Sequence, residues 1–280
     1  MRKCIVVLLL LLLTASSAWA NGNIAQERAY FPPVLMYHDI KVKPINGFDV
    51  SVDDFQAQLA WLEQEGYRTL SMDEFLQYVD AKRPFPEKTV LITFDDGYEG
   101  VYQYAAPALA KHKMKATFFI FKKGLNSALT GYPYITDNQL RELAANPLFS
   151  IQSHTMTHAD LSAISKQELQ YELKASKQFI ESVTNKPCRT IAFPFGHYNS
   201  EVLKTAKEVG YDVAFSVSDL GLQGQAAKYS IPRIYMGVSL GQNKMELFKK
   251  YLHTYKTMPP EAFKERFGDL PQCKNLLPTK

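Results

Sequence analysis

Short apolar runs alternate with capped, amphipathic segments along most of this 280-residue chain. That alternation is the feature that most narrows its fold. Thr89-Val90-Leu91-Ile92 reads as a buried strand, and so does Ala116-Thr117-Phe118-Phe119-Ile120-Phe121. Between such runs lie helix signals. Ser51 offers an N-cap before Phe55, Leu59 and Leu62, in a pattern that Gly66 ends. Ser71 with Glu74 forms a capping-box pair ahead of Phe75, Leu76 and Val79. Tyr102 to Lys113 reads as helical despite Pro107, and Thr136 opens a helix through Ala145. Lys166 to Val183 is the longest, with Leu169, Leu173 and Ile180 on its buried face. Ser200 to Val209 and Asn243 to Leu252 are two more. The pattern predicts α/β architecture, with parallel strands and helices outside them.

The first twenty residues read as a secretory signal: Arg2-Lys3, an apolar core from Ile5 to Leu13, and Ala18-Trp19-Ala20 as the cleavage site. The core is short for a membrane span, so no transmembrane anchor is expected after cleavage, a retained anchor being the minor alternative. Residues 21–280, about 260, then suit a single domain, with a C-terminal extension from about residue 255. Losing Arg2 and Lys3 lowers the formal charge from +4 to +2. That is too little to argue for a nucleic-acid partner. Export also bears on the cysteines: without Cys4, only Cys188 and Cys273 remain, an even pair in an oxidising compartment and a candidate disulfide.

The chemistry gathers at strand ends. Thr93-Phe94-Asp95-Asp96-Gly97 sets two adjacent carboxylates behind the apolar run, followed by a glycine that permits a sharp turn. Ionised neighbours repel, and a bound cation is the commonest compensation; a turn with two solvated carboxylates is the alternative. Ser153-His154-Thr155-Met156-Thr157-His158 follows another strand-like run, Phe149 to Gln152. Its four-residue step predicts two imidazoles on one side of a helical turn. Two imidazoles and one carboxylate leave a position open for water, the catalytic rather than the structural zinc pattern. The remaining aspartate is then free to act as a base. Sequence order alone does not say which aspartate does which.

The order TFDDG, then SHTMTH, then Phe193-Pro194-Phe195-Gly196 resembles the polysaccharide deacetylases of carbohydrate esterase family 4, over roughly residues 33 to 235. The resemblance implies a distorted (β/α) barrel, incomplete relative to an eight-fold one. It makes Asp95 the catalytic base and Asp96, with His154 and His158, the ligands of a divalent metal, expected to be zinc. Pro194 and Phe195 fall in the third motif, where the Phe195 N–H is expected to face the oxyanion. Tyr98, just past TFDDG, is expected on the substrate side.

Several family features are out of place. Ala192 stands near the expected position of the arginine that orients the base. No Asp-Trp motif follows, Ser216-Val217-Ser218-Asp219 being a faint echo, and Leu252-His253 matches the usual acid-histidine motif poorly. The opening Pro33-Val34-Leu35-Met36-Tyr37-His38 is similar to the start of the poly-β-1,6-N-acetylglucosamine deacetylases of biofilm matrices. In that subgroup the early histidine is the general acid, so His38 is the expected acid here, with strand capping as its alternative role. That subgroup spaces its metal histidines one residue wider. Arg233, in Ser230-Ile231-Pro232-Arg233-Ile234, is the candidate to orient Asp95; the alternative is an ordinary surface arginine.

The chain is therefore expected to be an exported hydrolase, periplasmic or extracellular, that removes N-acetyl groups from N-acetylglucosamine-containing polysaccharide. An O-acetyl esterase on the same scaffold, and a carbohydrate-binding relative without catalysis, are the alternatives.

Overall fold

The computed structural model describes residues 31–81, 85–217, 228–237 and 244–254. The expected signal segment, Cys273 and the expected C-terminal extension lie outside these residues.

Among the described residues ten strands and seven α-helices follow in the order β1 Val34–Tyr37, β2 Asp39–Lys41, β3 Asp49–Ser51, α1 Val52–Gln64, β4 Arg68–Thr69, α2 Met72–Asp80, β5 Thr89–Phe94, α3 Ala106–Lys111, β6 Ala116–Ile120, α4 Asp137–Ala145, β7 Phe149–Ser153, α5 Lys166–Thr184, β8 Thr190–Ala192, α6 Ser200–Val209, β9 Val213–Phe215, β10 Ile234–Tyr235 and α7 Lys244–Thr254. The main sheet runs β10-β1-β5-β6-β7-β8-β9, with β4 paired to the start of β5, and every pairing is parallel. β2 and β3 form a separate two-stranded ribbon. This is the distorted, incomplete (β/α) barrel that the resemblance implies.

Residues 231–235 join the two edges of the sheet. Ile231 bridges Phe215 at the end of β9, and three residues later β10 pairs with β1. Arg233 sits between these contacts, which turns it into the closed interior rather than to solvent.

A parallel sheet must be covered on both faces, and here alternate residues serve two cores. Leu35, Ile92, Phe94, Phe118 and Ile120 pack outward under the helices. Val34, Leu91, Phe119, Val213 and Phe215 fill the interior, floored by Phe75 and Leu76 of α2. Truncating a fully buried Leu91 to alanine costs about 2–5 kcal/mol.

The capping signals at Ser51, Ser71 and Thr136 are used, the last two as complete capping boxes. The single helix expected from Tyr102 to Lys113 is instead a π-turn over Val101–Ala105 followed by α3. Pro107 has no N–H to give to the preceding turn, and the wider bond from Ala106 N–H to Val101 O takes up the slack. Cys188 is buried, and burial pushes its thiol up to about 12. Among the described residues no helix is long and apolar enough to cross a membrane.

Candidate active site

The strands β1, β5, β7 and β8 point their C-terminal ends at one cavity of about 570 Å3, which His38, Asp95, Asp96, His154, His158 and Phe195 help to line. Open α/β sheets place chemistry at this end because side chains on successive loops converge there.

At the end of β5 the Asp95 N–H still donates to Tyr37 O across the sheet. The chain then breaks away through two left-handed residues, Asp96 (φ 71°) and Gly97 (φ 84°). A Cβ on Gly97 would meet Ile120 Cδ1 at 2.9 Å, so glycine is needed for space as well as for φ. The turn sends the two carboxylates to different neighbours.

Asp95 is held by Arg233. Nη1 and Nη2 donate to Oδ1 and Oδ2, each at 2.6 Å, and both residues are buried. The guanidinium also donates from Nε to Ser216 O and from Nη1 to Thr93 Oγ1, and it lies 5.4 Å over the Phe119 ring. Burial alone pushes the Asp95 carboxyl up, but the charge and hydrogen bonds of Arg233, with His154 nearby, hold it below its ordinary value. The reading of Arg233 as a surface residue is thus corrected: it is fully buried because it occupies the seam that closes the sheet.

Asp96 faces the histidines. Its Oδ1 lies 3.4 Å from His154 Nε2 and 3.2 Å from His158 Nε2, and the three ligand atoms fall within 4.8 Å of one another. His154 Nδ1 donates to Ala192 O at 2.8 Å, which leaves the Nε2 lone pair turned to the site. Asp96 Oδ1 is buried without a hydrogen-bond partner among the described residues. An acceptor oxygen and two imidazole nitrogens converging on one point fit a divalent cation. Burial raises the Asp96 carboxyl, but the two imidazoles outweigh it and hold it well below the carboxylate range.

The imidazoles do not meet on a helical turn. β7 ends at Ser153, and residues 154–158 form an irregular loop in which Thr155 (φ 75°) and His158 (φ 63°) are left-handed. The loop doubles back, bringing the two ring centroids to 4.9 Å. Left-handed backbone costs an L-residue about 1–2 kcal/mol, so the conformation needs support from outside the loop.

His38 leaves β1 half-buried at the cavity wall, against the Phe48 ring at 5.2 Å and the Tyr235 ring at 5.8 Å. Burial lowers its pKa, and the Asp96 and Asp95 charges only partly restore it. Tyr98 stacks on Tyr134 at 4.7 Å on another wall, its phenol pushed up by burial. Pro194 is buried, while Phe195 (φ 59°) holds its half-exposed ring edge-on to His158. Motifs did not locate Phe48, Phe121, Tyr134 or Tyr235, which also line the cavity.

Comparison with known proteins agrees with the architecture. The polysaccharide deacetylase family model matches residues 82–214. A Bacillus subtilis (strain 168) protein named among the polysaccharide deacetylases, YxkH, is 35% identical over 220 residues, covering 78% of this chain and 75% of that protein. The poly-β-1,6-N-acetyl-D-glucosamine N-deacetylase of Staphylococcus aureus (strain MRSA252) is 30% identical over 228 residues, 78% of each chain. The Streptococcus pyogenes deacetylase PplD, solved with acetate, superposes with a TM-score of 0.66 at 28% identity, over 80% of this chain and 98% of that one. This chain belongs to the polysaccharide deacetylase family.

Proposed function

We propose that the protein is an exported, metal-dependent N-deacetylase of N-acetylglucosamine-containing polysaccharide. The observation that carries this reading is the pairing of an oriented, ionised Asp95 with the Asp96–His154–His158 cluster on one cavity floor. A divalent cation held by these three residues, zinc in our reading, supplies Lewis-acid polarisation of the acetyl carbonyl and activation of water.

The chain's own groups do the rest. Asp95, kept ionised by Arg233, accepts the proton of the attacking water. The water oxygen adds to the acetyl carbon while the Phe195 N–H donates to the oxygen that gains charge. His38 gives a proton to the sugar nitrogen as the C–N bond breaks, releasing acetate and leaving a free amine. The aromatic walls offered by Phe48, Tyr98 and Phe195 suit the C–H faces of a sugar ring. Export rests on the signal-like leader, and the β-1,6-linked polymer is favoured by the Staphylococcus relative's name and by the Tyr37-His38 opening.

One observation keeps an ester substrate in view: burial disfavours the protonated imidazole of His38, and an alkoxide leaving group needs less acid help than an amine. Acetate release from β-1,6-linked N-acetylglucosamine oligomers, with and without chelator, tests the main reading. Undiminished release by Asp95→Asn overturns the mechanism. Ester cleavage with no amide cleavage at any zinc loading transfers the assignment to the esterase.

A further inference from the structure

The loop that carries the second histidine does not hold its own shape. With Thr155 and His158 both left-handed, the four N–H groups of residues 155–158 are not paired as they would be in a helix. Two are met locally: Thr155 N–H donates to Ser153 Oγ, and His158 N–H donates to Thr155 Oγ1. The other two leave the loop altogether. Met156 N–H and Thr157 N–H both donate to Glu172 Oε2, at 2.8 and 2.9 Å. Thr157 Oγ1 donates to the other oxygen, Oε1, at 2.7 Å.

Glu172 lies on α5, one of the outer helices, and is only 5% exposed. The other members of that helix's buried face are Leu169, Leu173, Ser176 and Ile180, so a carboxylate there is out of keeping with its surroundings. Burying a carboxylate is costly unless its lone pairs are filled. Here both oxygens accept hydrogen bonds, and all of these come from the short segment between His154 and His158.

We propose that Glu172 is a positioning residue of the metal centre. It clamps the 155–158 turn from behind and thereby fixes the distance between the His154 and His158 imidazoles. It acts through the Met156 and Thr157 N–H groups and the Thr157 hydroxyl rather than through either imidazole. The inference rests on the metal reading given above, and goes beyond it in assigning the geometry of the ligand pair to an outer helix.

Two variants of the full chain separate this role from general stability. Glu172→Asp keeps the charge but is one methylene short of the loop. Glu172→Gln keeps the length, accepts both N–H groups at its amide oxygen and reverses the bond with Thr157 Oγ1. Zinc affinity is measured by competition with a chromophoric chelator. Amide hydrogen exchange of peptides covering residues 154–160 is followed in the metal-free protein.

Glu172→Asp is expected to bind zinc about tenfold to a hundredfold more weakly, as other losses of ligand support do. It should exchange faster at 154–160 with the thermal midpoint of the metal-free protein nearly unchanged. Glu172→Gln should stay close to wild type in both. Wild-type affinity or wild-type exchange in Glu172→Asp overturns the inference, as does a loss of affinity matched by faster exchange throughout the chain. Should Glu172→Asp not fold, Thr157→Val takes its place: faster exchange at 154–160 supports the clamp, and unchanged exchange overturns it. A wild type that binds no zinc overturns the metal reading and this inference together, whereas zinc binding indifferent to residue 172 overturns this inference alone.

Discussion

Arg233 and Asp95, 138 residues apart in sequence, share two parallel hydrogen bonds of 2.6 Å in an interior closed to solvent. Two parallel N–H···O bonds fix direction as well as charge, which a lysine's single ammonium cannot do. Arg233→Lys is therefore expected to leave the fold largely intact and lower kcat for acetate release by at least about a hundredfold, since a misaligned base forfeits much of its effect. Arg233→Ala strands a buried carboxylate and should cost about 3–5 kcal/mol in urea unfolding as well. Lysine at wild-type rate would remove Arg233 from the account of catalysis.

The convergence of Asp96, His154 and His158 predicts a stability that depends on metal. A ligand at one hundred times its Kd adds about 2.7 kcal/mol to a folded state that alone binds it. Zinc added to chelator-treated protein should raise the thermal midpoint accordingly, and Asp96→Ala or His158→Ala should abolish the rise. Differential scanning calorimetry with and without zinc makes the check; a midpoint indifferent to zinc in the wild type speaks against the site.

For His38 the expectation concerns leaving groups. Loss of a general acid costs about 10²–10⁴ in rate where the leaving group must be protonated. His38→Ala should thus lose far more activity on an N-acetyl amine than on an activated acetate ester. Equal losses on both would assign His38 to binding instead.

Asp39 gives a pH dependence of opposite sign to that of most carboxylates. Burial, partly offset by Lys41 Nζ at 3.2 Å, pushes its carboxyl up to about 6 from an ordinary 3.8. Between those values the folded chain holds a proton that the unfolded chain releases. Its contribution therefore favours the fold at low pH and is lost as pH rises toward 6, by about 3 kcal/mol in all. Asp39→Asn lacks this loss, so relative to wild type it should gain stability between about pH 4 and pH 7. Urea titrations of both proteins at the two pH values measure the difference, and a constant gap refutes the assignment.

What was legible in the sequence was what lies close together along it. The strand ending in Asp95-Asp96-Gly97 and the helix caps at Ser71 and Thr136 announce themselves within a few residues. Arg233 stands out in the sequence only as a replacement for something missing, because its neighbour Asp95 lies across the whole domain. The 154–158 loop is hidden for a related reason: a four-residue histidine step fits a helix, but the loop's N–H groups pair with Glu172, on a helix that follows. Of the aromatic walls, Tyr98 and Phe195 stand in or beside the motifs, but Phe48 and Tyr235 come from opposite ends of the chain and look like ordinary core residues until the sheet closes.

The seam at residues 231–235 also has a consequence for assembly. Asp96, His154 and His158 are all present once the chain has been made as far as His158, whereas Asp95 lacks its arginine until β10 docks against β1. Closing so long a loop is entropically slow, and contacts of this kind form late. The arginine that orients Asp95 is thus delivered by the same event that joins the two edges of the sheet, so the pair forms only in a chain whose fold is complete.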